Sequence, residues 1–175
     1  ATRFAVIYYQ GNKQSVAHPS CVPGWVLMEP ELLESLPMYQ RKATMLDAFC
    51  HAAESFWSVN STEDSRKDAA EAIRLVLKYA DSYLANEKEG NAQMLLAANI
   101  AGKAINVTQT TAGHAMAYKI TTLYGLSHGH AVALVVDSLW PYMAAHTEKC
   151  IDPRGEAYLK SMFEELAKVC GCDSV

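Results

Sequence analysis

The stretch from Ala92 to Val107 narrows the choice of fold more than any other. It is rich in alanine and apolar nearly all round, so a helix there has no polar face to turn to water and is expected as the buried centre of a bundle. The flanking segments supply helices to enclose it. Lys42 to Trp57 places Met45, Ala48, Phe49, Ala52, Ala53 and Phe56 at helical spacing. The next helix is predicted to begin after a cap at Asn60 or Ser61, with Asp64 three residues past Ser61. It carries Ile73, Val76, Leu77, Ala80 and Leu84 on one face and stops between Asn86 and Gly90. His114 to Tyr124 and His130 to Ala145 follow, joined by Gly125-Leu126-Ser127, and Pro141 can kink the second of them. Gly155 to Val169 is the last helix, and Glu31 to Leu36 adds a turn or two.

Residues 1–29 differ in texture. Phe4 to Tyr9 is β-branched and aromatic, Gln10 to Lys13 reads as a turn, and Gln14 to Ala17 as the returning strand. A short apolar stretch, Trp25 to Met28, follows Pro19, Pro23 and Gly24. Two or three strands alone are marginal in water, so these are expected to belong to a sheet whose remainder lies outside the chain. At 175 residues the chain is one domain or one domain with an appendage.

A net charge of −4 without any cluster of Lys and Arg argues against nucleic acid or an anionic membrane as partner. The longest strictly apolar run, Ala131 to Val136, is far too short to span a bilayer, and the first residues show no signal-peptide pattern. Five cysteines, an odd number, point to reduced thiols and a cytoplasmic protein. Cys170-Gly171-Cys172 lacks a second pair at ligand spacing and reads as two thiols near a helix end.

The chemistry concentrates in Asp47, His51, His114 and His128. Asp47 and His51 are four apart on one predicted helix and therefore share a face. His114 precedes an apolar helix and His128 follows a tight turn, so both can converge on that face. One carboxylate and three imidazoles suit Fe(II), Zn(II) and similar ions, and such an ion can polarise a carbonyl or stabilise an alkoxide. Taken singly, an Asp-x-x-x-His pair is most often a surface or capping pair, and each histidine can be a satisfied core residue. Taken together among apolar neighbours, four such groups without partners would cost several kcal/mol, which a shared cation removes. Around them, Glu54 either orients a ligand or is a solvated helix residue. Tyr118 either bonds at the site or packs in the core, and His130 is a proton carrier or a residue lining an interdomain surface. Gln109-Thr110-Thr111 shapes the cleft rim or caps the His114 helix.

The segment Met45-Leu46-Asp47-Ala48-Phe49-Cys50-His51-Ala52-Ala53-Glu54 resembles the "DALxHAxE" segment of iron-containing (group III) alcohol dehydrogenases. Gly113 to Ala117 and Leu123 to Ala131 resemble their paired-histidine segment, and Pro30 to Pro37 agrees with the preceding run. The resemblance implies the dehydroquinate synthase-like architecture, in which an N-terminal α/β domain binds NAD(P) and an all-helical domain binds the metal. On that reading the chain is mainly α. Residues 1–29 are a strand remnant of the nucleotide-binding domain, and 30–175 are the helical metal-binding domain, incomplete at its C-terminus. The resemblance also implies Asp47, His51, His114 and His128 as ligands of iron(II), or of zinc(II). It further implies hydride exchange between an alcohol carbon and NAD(P)H in the full-length enzyme.

Three departures matter. There is no Gly-rich pyrophosphate loop, the family's further helices after residue 175 are lacking, and Tyr118 stands where many relatives have a second histidine proposed to relay protons. The chain is therefore expected to be a fragment inactive alone, with Tyr118 and His130 as the catalytic candidates. The wording around His114 is most similar to the phosphonoacetaldehyde reductase branch, and Lys119 is either a contact for an anionic group or a solvated helix residue. The partners implied are a small alcohol or aldehyde, no nucleic acid, no membrane, and a second copy of the chain in a homo-oligomer. Alternatives are a dehydroquinate synthase-like lyase, a zinc polyol dehydrogenase, or a non-catalytic helical interaction module.

Overall fold

The helical patterning carries through into α1 (Met38–Trp57), α2 (Glu63–Leu84), α3 (Lys88–Thr108), α4 (Ala112–Tyr124), α5 (His128–Ala145) and α6 (Glu156–Val169). The computed structural model describes residues 2–10 and 12–172. Single 3-10 turns lie at Pro19–Cys21, Pro30–Leu33 and Thr147–Lys149. Helix α1 starts four residues before the expected Lys42, directly after Pro37, because a proline fits the start of a helix, where its missing N–H costs no hydrogen bond. The cap of α2 is Thr62 rather than Asn60 or Ser61. Its hydroxyl accepts the Ser65 N–H (3.1 Å) while the Ser65 hydroxyl accepts the Thr62 N–H (2.9 Å), so Ser65 and not Asp64 completes the box. Helix α5 begins at His128 and runs on through Pro141.

At the N-terminus, β1 (Phe4–Tyr9) and β2 (Asn12–Ala17) pair antiparallel, Phe4 opposite Ala17 and Ile7 opposite Gln14. The return strand thus starts two residues before the expected Gln14. Trp25 to Met28 forms no strand, and Trp25 and Leu27 are 96% and 91% exposed. The hairpin is tied to the helices by the Arg3 N–H, which donates to Asn106 Oδ1 (2.7 Å).

The central helix is α1, not the expected α3. It packs against α2, α3, α5 and α6, and its Ala52, Ala53 and Phe56 are wholly buried. One face of α3, with Met94, Ala97, Ala101 and Ala104, enters the core, while Lys103 and Val107 reach solvent. On another side of α3, Ala98, Gly102 and Ile105 line a cleft of about 770 Å³ that the hairpin also borders. Its lack of a polar face therefore reflects two apolar surroundings, a core and a cleft.

Near the start of α1, the Arg41 side chain is 2% exposed and reaches three stretches of chain. Its guanidinium donates to the carbonyls of Leu36 (3.1 Å), Tyr83 (2.8 Å) and Leu33, and to the amide oxygens of Asn91 (2.7 Å) and Asn86. It also lies over the Tyr83 ring, 4.9 Å from the centroid. These bonds clamp the entry to α1 against the α2–α3 turn.

Candidate metal centre

Asp47 and His51 lie one turn apart on α1, His114 in the first turn of α4, and His128 at the first position of α5. The approach of α5 depends on Gly129. A Cβ there would strike the Ala43 carbonyl and Asp47 Cβ, so the missing side chain lets His128 come down onto α1. Ligand atoms of Asp47, His114 and His128 all fall within 4.8 Å of one another. His51 borders that set without joining its tightest part. Its Nδ1 is 4.0 Å from Asp47 Oδ2, and its ring stacks on His114 with centroids 4.5 Å apart.

His114 Nε2 and Asp47 Oδ1 face each other at 3.5 Å. Both atoms are buried, and neither has a hydrogen-bond partner among the described residues. Leaving a buried nitrogen and a buried carboxylate oxygen unsatisfied is costly, and a cation between them answers both. The converging donors are one carboxylate and two imidazoles, with the His51 imidazole alongside and no thiolate, a chemistry that fits iron or zinc. Cys50, also buried on α1, stays a thiol, because burial and the nearby Glu54 and Asp47 push its pKa up to about 12.

The other nitrogen of His114 has a fixed partner. Nδ1 donates to Glu54 Oε2 at 2.5 Å, and Glu54 is wholly buried. The Thr111 N–H donates to Oε2 (3.1 Å) and the Thr111 hydroxyl to Oε1 (2.8 Å), while the Trp57 indole N–H donates to the Thr111 oxygen (2.9 Å). Thr111 therefore binds a carboxylate on α1 and makes no side-chain cap for α4. The sequence left Glu54 open between two roles. The hint available was its spacing, three residues after His51 and seven after Asp47, which places all three on one face.

Electrostatics at the cluster follow from this geometry. Burial alone would lower the His114 pKa, but the nearby Asp47 carboxylate and the hydrogen-bonded Glu54 carboxylate outweigh it and hold the ring at about 9. Burial pushes both carboxyls up as well, and His114 overrides it, leaving Asp47 and Glu54 below their ordinary values. His51 moves the other way, to about 4, chiefly through burial. A proton on His114 thus occupies the position of positive charge between two carboxylates, and His51 stays a neutral donor.

Tyr118 lines the same cleft with its ring stacked on His128, 5.4 Å between centroids and 4° between planes. Burial and the Asp47 charge raise its pKa, keeping the phenol protonated. His130 is placed elsewhere. Its Nδ1 meets the Tyr39 hydroxyl at 3.1 Å, and it lines a separate, largely apolar cavity with Leu46, Phe49 and Trp140. Gln109 and Thr110 do border the metal cleft. Lys119 is exposed on α4, and no Lys or Arg lines the cleft among the described residues. All five cysteines are free.

Residues 42–173 match the family described as Fe-containing alcohol dehydrogenase family, C-terminal. Among curated relatives, phosphonoacetaldehyde reductase of Streptomyces viridochromogenes is 32% identical over 98% of this chain and 45% of its own length. Among solved structures, the alcohol dehydrogenase from Oenococcus oeni superposes with a TM-score of 0.85 at 26% identity, over 98% of this chain and 43% of that one. Sulfoacetaldehyde reductase from Bifidobacterium kashiwanohense in complex with NAD+ superposes with a TM-score of 0.78 at 26% identity, over 99% and 49%. The chain therefore spans less than half the length of each of these proteins.

Proposed function

Since this chain belongs to the Fe-containing alcohol dehydrogenase family, we propose that it forms the metal-binding half of an enzyme that interconverts alcohols and aldehydes with NAD(P)H. The observation that carries this reading is the pair of orphaned buried atoms, Asp47 Oδ1 and His114 Nε2, with His128 converging on them. In it, residues 1–29 close the nucleotide-binding domain and 30–175 form the helical domain. Nicotinamide binding is placed in the part of the enzyme this chain does not cover. No described helix is long and apolar enough to cross a membrane, and the five free thiols agree with a cytoplasmic protein.

Asp47, His51, His114 and His128 would hold iron(II) or zinc(II), which when bound supplies Lewis-acid polarisation of the substrate oxygen. Asp47 contributes the one negative charge of the set. His51 is neutral and in reach, and His114 presents Nε2 because Glu54 occupies Nδ1. The protonated Tyr118 phenol, on the cleft wall beside His128, is assigned the proton that the substrate oxygen takes up on reduction. His130, facing the other cavity, is given no step. Phe4, Val6 and Ile105 give the cleft an apolar wall beside the reacting carbon.

For the substrate we favour a two-carbon aldehyde with an oxyanion head, phosphonoacetaldehyde first, after the names of the two reductases above. The cleft offers neutral donors for such a head, Ser15, Gln109 and Thr110, and no cation of its own among the described residues. Calorimetric titration of the chain with Zn(II) or Fe(II) tests the metal reading. One equivalent should bind, and Asp47→Ala or His114→Ala should weaken binding by about a thousandfold or more, since each removes a ligand and strands a buried partner. Unchanged affinity in both variants would defeat it. In the complete enzyme, kcat/KM should be higher for phosphonoacetaldehyde than for propanal, and equal values would remove the oxyanion assignment.

A further inference from the structure

The structure assigns Glu54 as the positioning residue for His114: its carboxylate fixes the ring so that Nε2 points at the ion site. This rests on the metal-centre reading above. Glu54 is wholly buried, so its charge persists there only with partners. It has three donors and no recourse to water: His114 Nδ1–H, the Thr111 N–H and the Thr111 hydroxyl. Trp57 donates into the Thr111 oxygen, and that directs the hydroxyl proton toward Glu54. Both carboxylate oxygens are therefore fixed before any ion arrives.

Gly113 supplies independent support. A Cβ at this position would collide with Glu54 Oε1 and with the Val136 side chain. The residue adjacent to His114 is thus bare where the carboxylate must pass. A role limited to holding α4 against α1 would need neither the Nδ1 contact nor the orphaned nitrogen on the far side of the same ring. With Nδ1 carrying the proton for Glu54, the lone pair of neutral His114 lies on Nε2, 3.5 Å from Asp47.

Competition with a chromophoric chelator measures the zinc dissociation constant of the 175-residue chain. Glu54→Gln should weaken zinc binding 10- to 100-fold, the usual range for a partner that orients a ligand. Gly113→Ala should weaken it about tenfold although Gly113 offers no ligand atom, and Thr111→Val about threefold. Long-range 15N–1H spectra of the zinc-loaded wild type need no variant to fold, and they should show His114 as the Nδ1–H tautomer. An Nε2–H tautomer, or folded Glu54→Gln and Gly113→Ala chains that bind zinc within twofold of wild type, would overturn the assignment. If wild-type binding survives Asp47→Ala, the metal-centre reading falls and takes this inference with it. If binding is lost in Asp47→Ala yet unmoved in Glu54→Gln, this inference alone fails.

Discussion

Helix α1 buries charge in two places, and it treats them differently. At its start the Arg41 guanidinium is enclosed and saturated, with five acceptors drawn from the 33–36 turn, the end of α2 and the start of α3. Two turns on, the Asp47–His114–Glu54 group is saturated on one side only. Glu54 has all its donors, whereas Asp47 Oδ1 and His114 Nε2 have none. A buried charge with every bond made is a clamp. One with a bond left open toward a cleft is a place for a ligand, because the missing partner has to come from outside the chain.

Substitutions at the two sites should separate these roles. Arg41→Ala strands five acceptors, and we expect it to destabilise the fold by on the order of 3–5 kcal/mol in urea unfolding. Zinc affinity of the folded fraction should change less than threefold. A parallel loss of affinity would break the distinction between clamp and site.

The next largest effect is one of pH. The folded His114 pKa, about 9, lies above its ordinary 6.5. Its contribution is therefore complete below 6.5 and is lost as pH rises through about 9. Without metal, the chain should lose about 3 kcal/mol across that window. Saturating zinc should remove this dependence, since the ion replaces the proton. Zinc binding should release a proton at pH 7, detectable by calorimetry in buffers of different ionisation enthalpy.

Gly129→Ala ranks third. Forcing α5 off the Ala43 carbonyl should cost about 1–3 kcal/mol, and zinc affinity should fall at least tenfold as His128 withdraws. Tyr118→Phe should be smallest in stability, under about 0.5 kcal/mol. It should still lower kcat of the complete enzyme tenfold or more with zinc affinity unchanged, and an unaltered kcat would remove the proton from Tyr118.

Much of this was legible in the residues. The hairpin showed as β-branched and aromatic residues before a turn, and Asp47 with His51 showed as an i, i+4 pair. His114 and His128 were harder, because convergence across two helices is a tertiary fact. The residues allowed them to converge on α1, and the resemblance implied that they do. Arg41 left no sequence signal, since its acceptors are backbone carbonyls and asparagine side chains from three separate stretches of chain. Glu54 was ambiguous for a related reason: a glutamate on a helix is usually solvated, and its burial comes from α4 crossing over it at Gly113. The apolar α3 misled because composition does not distinguish a helix enclosed by neighbours from one that has a core on one side and a cleft on the other.

X-ray absorption at the zinc edge of the loaded chain tests the central claim most directly. We predict a single shell of nitrogen and oxygen at about 2.0–2.1 Å with the multiple scattering of three imidazoles, lost when Asp47→Ala or His114→Ala is loaded in the same way. A sulfur scatterer at about 2.3 Å, or a spectrum indifferent to both substitutions, would contradict it and place the ion elsewhere.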